Sequence, residues 1–141
     1  MSATGLDVFD KTLQTTNIWL NEIMEEVGPD RQTAWHALGA VLHALRDRLP
    51  VDEAAHLGAQ LPLLIRGAYY HQWHPAGKPD KIRNEAEFIA RVGAELRDIR
   101  PIDPREATRT VFKVVARHVD RGESEKVEHT LPQDIRALWP H

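Results

Sequence analysis

The sequence predicts an all-α protein, a single bundle of about six to eight helices built from two related three-helix halves. Three observations lead there. Apolar residues recur at three- and four-residue steps along nearly the whole chain, proline, glycine and capping side chains fall between those runs, and the pattern Leu-Pro-x-x-Ile-Arg occurs at both 61–66 and 131–136.

The first helix carries Leu6, Phe9, Leu13, Leu20, Ile23, Met24 and Val27 on one wide stripe, with Thr4 expected to cap it and Asp7 three residues on. Gly28 and Pro29 stop it. A second helix starts from Asp30 and is expected to bury Ala34, Leu38, Val41, Leu42, Leu45 and Leu49, with Trp35 at the edge of the stripe; Pro50 ends it. A third runs from Val51 through Ala54, Leu57, Leu61, Leu64, Ile65 and Ala68, where Pro62 either kinks the helix or opens a new short one. Segment 71–83 (HQWHPAGKPDKIR) lacks helical period and reads as the connection between the halves. Beyond it, Asn84 with Glu87, and Asp103 with Pro104 and Glu106, have the form of capping boxes. The fourth helix carries Phe88, Val92 and Leu96, and the fifth Ala107, Val111, Val114 and Val115, with His118 closing its stripe. The sixth follows Gly122 with Val127, Leu131, Ile135 and Leu138.

Aligning the halves joins Ala34, Leu38, Val41 and Leu42 to Ala107, Val111, Val114 and Val115 at a shift of 73, and Leu61, Ile65, Arg66 and Tyr69 to Leu131, Ile135, Arg136 and Trp139 at a shift of 70. A three-residue gap reconciles the two shifts. The chain therefore reads as one domain over 1–141, with halves of about 4–70 and 84–140.

Composition bounds the rest. A chain of 141 residues with 42% hydrophobic and 28% charged residues describes one compact domain, and area scaling leaves roughly 7,400 Å² of about 23,000 Å² exposed. The absence of cysteine removes thiolate nucleophiles, disulfides, iron–sulfur clusters and zinc fingers. A formal charge of −3 is too balanced for a protein devoted to non-specific binding of nucleic acid or acidic membranes. No basic leader with an apolar run opens the sequence and no stretch is apolar enough to span a membrane, so the expected setting is cytoplasmic, without membrane contact.

The runs DVFDKTLQTTNIWLNEIMEEVG, DRQTAWHALGAVLHALRDRLPVDEAAHLGAQLPLLIRGAYYHQWHPAGKP and LPQDIRALWP resemble the bacterial domain of unknown function 2267 family, over nearly the whole chain from about Leu6 to Pro140. That resemblance implies a small all-helical bacterial protein, in some cases fused to or neighboured by stress-related modules. It carries over no activity and no functional residues.

The residues themselves offer four candidate sites. Tyr69-Tyr70-His71-Gln72-Trp73-His74 sits among Arg66, Lys78, Lys81 and Arg83, a cationic and aromatic segment suited to an anion, although pinning of the connection to the core by Tyr69 and Trp73 explains the rings equally well. His71 and His74 are three apart and suggest two metal ligands, with His36, His43 or His56 as the third, against the simpler reading of surface histidines. Along the second helix His36, His43 and Asp47 are expected on one outward face, His43 and Asp47 one turn apart. Arg109, Lys113 and Arg117 line up at four-residue steps as the best nucleic-acid surface, though an ordinary solvated helix face accounts for them.

Apolar residues outside the core stripes are the remaining signal. Leu63, Tyr70 and Trp73 form a candidate interaction surface, since position 133, aligned with Leu63, is Gln, although packing of Leu63 and Tyr70 between the two halves is the plainer account. No Gly-x-Gly-x-x-Gly, Walker loop, Gly-x-Ser-x-Gly or His-Glu-x-x-His occurs, and no catalytic residue or cofactor is assigned. The favoured reading is a non-enzymatic helical module that binds a protein partner or itself. A small-ligand or metal protein using the His-rich connection stands second, and a weak nucleic-acid binder third.

Overall fold

A computed structural model describes residues 2–97 and 101–140. Among these the chain forms eight helices and no strand: α1 (Asp7–Val27), α2 (Arg31–Arg48), α3 (Val51–Gln60), α4 (Leu63–Tyr70), α5 (Glu85–Glu95), α6 (Pro104–His118), α7 (Arg121–Thr130) and α8 (Gln133–Arg136). The exposed surface is 7849 Å², near what area scaling expects for one compact unit of this mass.

Local chemistry sets most of the helix starts. The Asp30 carboxylate accepts from Thr33 N–H at 2.7 Å, Asn84 Oδ1 accepts from Glu87 N–H at 2.8 Å, and Asp103 accepts from Arg105 N–H at 2.9 Å, each satisfying an amide that has no partner within its own helix. The first helix begins differently from the sequence expectation. Leu6 occupies its cap position and Thr4 instead bonds the Asp10 carboxylate, because two residues separate Thr4 from the first helical turn. Pro62 opens a new helix rather than kinking an old one, and Pro132 does the same, so 51–70 and 121–136 are each a pair of helices.

α2 is the central element, packed against α1, α4, α5 and α6. It buries Ala34, Leu38, Val41, Leu42 and Leu45 against Trp19 and Ile23 of α1, Ile65 and Tyr69 of α4, Phe88 and Val92 of α5, and Phe112 and Val115 of α6. α3 lies against α4 and α7, and α8 against α5.

Five expected core positions are solvent-facing. On α1 the buried side is Thr12, Thr16, Trp19, Leu20 and Ile23, while Leu6, Phe9 and Leu13 are exposed. Along this part of the helix the packed side is taken by Thr12 and Thr16 instead, and Thr12 Oγ1 accepts from Leu64 N–H at 3.2 Å. Leu64 is also exposed, because a new helix starting at Leu63 does not keep the phase that one helix through Pro62 has. His118 leaves the core as well: its ring stacks on Trp19 at 5.1 Å and its Nε2 meets Glu22 at 2.7 Å.

The connection between α4 and α5 has no helix, and buried charge ties it down. Arg46 donates to the carbonyls of Tyr69 at 2.7 Å and His71 at 2.9 Å, Asp80 N–H donates to the Asp47 carbonyl at 2.7 Å, and Arg48 donates to the Ile82 carbonyl. Arg46 and Asp47 are 4% and 3% exposed and bond each other at 2.8 Å. Asp47 therefore points inward, not along an outward face with His36.

Candidate functional site

Seven large apolar residues are exposed among the described residues, and all lie on α1, its cap or the start of α4: Leu6, Val8, Phe9, Leu13, Ile18, Leu63 and Leu64. Two grooves meet at Leu63. One, of about 320 Å³, runs between the first half of α1 and the α3–α4 corner, lined by Val8, Thr12, Thr15, Gln60, Pro62 and Leu63. The other, of about 460 Å³, lies between α2 and α4, with Trp35, His36, Leu63, Leu64, His71 and Glu95 along it and Gly39 and Gly67 between them. A methyl on either glycine meets nothing within 4 Å, so their surface is open.

Tyr70 and Trp73 belong to a different surface from Leu63. Tyr70 donates its hydroxyl to the Ala55 carbonyl at 3.3 Å, its ring lies 5.0 Å from Tyr69 and 5.4 Å from Trp73, and both rings pack partly buried against the core. A side chain at Gly58 would collide with the Tyr70 hydroxyl and ring, so that glycine is required by close approach. The pair pins the connection, while Leu63 joins α1. Sequence spacing missed the α1 part of this surface because Leu6, Phe9 and Leu13 fit a buried stripe; the threonines at 12 and 16 on the same side of the helix were the available sign.

The four cations of the expected anion site are not gathered around one point. Arg66 donates to the carbonyls of Leu61 at 2.9 Å and Ala59 at 3.2 Å, closing the C-terminal end of α3. Lys78 pairs with Asp80 at 3.0 Å, which also meets Arg91 at 2.9 Å; these cations hold the Asp80 carboxyl below its ordinary range against the opposing effect of partial burial, the largest single influence. Lys81 and Arg83 are exposed, with Arg48 over the intervening Ile82 carbonyl.

The basic stripe on α6 meets acids of α1. Lys113 pairs with Glu26 at 2.7 Å and Arg117 pairs with Glu22, leaving Arg109 without a carboxylate among the described residues. Of the histidines, His71 caps the end of α4 and His74 is exposed in the connection. No three His, Asp or Glu side chains converge as a metal site among the described residues, so the third ligand that His71 and His74 need is not beside them. His43 does not bond Asp47. Its Nδ1 meets Glu95 at 2.9 Å and its Nε2 meets the Ala68 carbonyl at 2.7 Å, two acceptors that call for both ring N–H groups. The Glu95 bond accordingly raises the His43 pKa, more than burial lowers it.

A residue pair that sequence reading did not single out lies at the α3–α7 seam. Glu53, 7% exposed, faces Glu123, and the two carboxyls are within hydrogen-bonding reach. Glu53 Oε1 and Glu123 Oε2 are buried with no N–H or O–H partner among the described residues, which a proton shared between the carboxyls satisfies. Desolvation and then Glu53 push the Glu123 carboxyl up to about 7. Lys126, 4.0 Å from Glu53, and His56, at 3.7 Å, flank the pair. The 70-residue shift joins Glu53 to Glu123 and was the signal available.

A family model described as "Uncharacterized conserved protein (DUF2267)" matches residues 16–138. The chain belongs to the DUF2267 family. None of the curated proteins matches it. The DUF2267 match takes in α2 to α8, both grooves' α4 walls and the Glu53–Glu123 seam, while exposed Leu6, Val8, Phe9 and Leu13 precede the matched residues. That family description names no reaction or ligand, so the chemistry has to come from the geometry of this DUF2267 chain.

Proposed function

We propose that this chain is a non-enzymatic helical module that binds another protein through the α1–α4 edge. The support is the placement of exposed apolar surface: all seven large exposed apolar residues among those described lie on α1, its cap or the start of α4, and three of them, Val8, Leu63 and Leu64, line two open grooves. Surfaces of this kind receive the apolar face of a helix, read at three- and four-residue steps. Charge elsewhere favours the same reading over nucleic acid, since Glu22 and Glu26 already neutralise two of the three aligned cations on α6.

Two further parts belong to this reading. A cytoplasmic setting accords with the absence of any helix, among the described residues, long and apolar enough to cross a membrane. Duplication of an ancestral unit, now four helices in each half because Pro62 and Pro132 each divide the third expected helix, accords with matched hydrogen bonds at the shift of 70: Arg66 to the carbonyls of Ala59 and Leu61, and Arg136 to those of His129 and Leu131.

Size-exclusion chromatography with light scattering, combined with photocrosslinking from position 63 in cell extract, tests the proposal. The wild type is expected to assemble or to crosslink one defined partner, and the double variant Leu63→Glu, Leu64→Glu to lose it while staying folded, because both side chains are exposed. A strict monomer that crosslinks nothing, or a partner retained by the double variant, overturns it.

A further inference from the structure

We propose that Arg48 of α2, together with Lys81 and Arg83 of the connection, forms an oxyanion site that takes a phosphate group. Arg48 donates its Nε to the Ile82 carbonyl, which lays the guanidinium over the backbone between the other two cations. That bond uses one donor and leaves the terminal nitrogens without partners among the described residues. Lys81 and Arg83 are exposed and likewise pair with no described carboxylate.

Neighbouring carboxylates are already committed. Asp80 is shared between Lys78 at 3.0 Å and Arg91 at 2.9 Å, and Asp47 between Arg46 and Arg91, both at 2.8 Å. Residues 46–48, 78–83 and Arg91 together hold six cations against two carboxylates, in a chain whose overall charge is −3. The excess is therefore local, and Asp47 and Asp80 offset only part of it. Partial burial of Arg48, and next the nearby Arg83, weaken its hold on its proton against the smaller opposing pull of Asp80.

A dianion relieves that repulsion and a monoanion does so only in part. A phosphate group presents acceptors in several directions and so suits a group of two guanidiniums and an ammonium, whereas a single carboxylate is saturated by one guanidinium. Arg66 and Lys78 take no part, because α3 carbonyls and Asp80 occupy them. The site is also separate from the α1–α4 edge, and neither depends on the other.

Calorimetric titration of the full chain with inorganic phosphate, against acetate at matched ionic strength, tests the site. Phosphate is expected to bind more tightly than acetate, Arg83→Gln to weaken it by about tenfold, and Arg121→Gln, an exposed cation on α7, to leave it unchanged. Arg48→Gln is expected to weaken it as well; since Arg48 also holds the connection, the exposed Arg83 variant decides the matter if that chain does not fold. Cosedimentation with phosphatidylcholine vesicles containing phosphatidic acid separates the sources: a lipid headgroup ligand pulls the wild type down and free phosphate competes it off, whereas a soluble phosphate ligand gives titration without sedimentation. Equal responses to phosphate and acetate, or phosphate binding by Arg83→Gln equal to that of the wild type, overturn the proposal.

Discussion

The stretches 54–70 and 124–139 solve the same packing problem with different chemistry. In both, an arginine reaches back to the carbonyls that end the preceding helix, Arg66 to Leu61 and Arg136 to Leu131. In both, an aromatic side chain bonds the residue fifteen positions earlier: the Tyr69 hydroxyl donates to the Ala54 carbonyl at 2.7 Å, and Trp139 Nε1 donates to Ser124 Oγ at 3.2 Å. They part company at the helix that follows the proline. Asp134 accepts from Glu85 N–H at 2.7 Å and so holds the start of α5, whereas the aligned Leu64 side chain is exposed. Shared positions satisfy helix ends and buried donors; the differing ones decide what each stretch offers to the rest of the molecule or to a partner.

A second difference lies at the ends of α2 and α6. Asp47 is buried between Arg46 and Arg91, while Asp120, aligned with it at the shift of 73, caps α7 by accepting from Gly122 N–H at 3.1 Å. Replacing each by alanine should separate the two roles most sharply. Asp47→Ala leaves a buried guanidinium without its counter-charge and is expected to cost about 3 kcal/mol in urea unfolding. Asp120→Ala loses one cap, about 1 kcal/mol. Equal costs would break the contrast.

Arg66→Ala and Arg136→Ala probe the shared feature. Each removes a charged donor from two helix-end carbonyls, so each is expected to lower stability by about 1 kcal/mol, and by nearly the same amount. A large inequality in their melting temperatures would show that the matched bonds do not do matched work.

The smallest effect at neutral pH concerns the seam where the two stretches meet. The Glu123 carboxyl titrates at about 7 in the folded chain against an ordinary 4.5, so the folded state binds the extra proton. The stability this gives is fully present below about 4.5 and is lost as pH rises through about 7. Glu123→Gln keeps the hydrogen-bond donor without the charge. Its melting temperature is expected to vary less than that of the wild type across this window and to lie above it on the alkaline side. A variant whose pH profile parallels the wild type excludes the shared proton.

Much of the fold was legible residue by residue. The stripes on α2, α5 and α6 and the caps at Asp30, Asn84 and Asp103 are local features, and local spacing or a side chain three residues from an amide is enough to specify them. The sites were legible only as residue types. Arg66, Lys78, Lys81 and Arg83 read as one cationic group, but α3 carbonyls and Asp80 claim two of them, and Arg48, 33 residues before Lys81, takes a place beside the remainder. Likewise Lys113 and Arg117 read as a free stripe until Glu22 and Glu26 of α1 lie across from them.

The sequence by itself determined an all-helical chain, its breaks at proline and glycine, and the apolar faces of the central helices, because those depend on period and on neighbours a few residues away. Tertiary structure alone decided which charges are spent and which apolar residues stay uncovered. Asp47 is buried because Arg46 and Arg91 surround it, the Glu123 carboxyl is pushed up because the seam buries it and Glu53 faces it, and Leu13 is exposed because Thr12 and Thr16 take the packed side of α1. Pairing and burial are relations between distant segments, and amphipathic spacing records only that a face is apolar, not whether anything in the same chain reaches it.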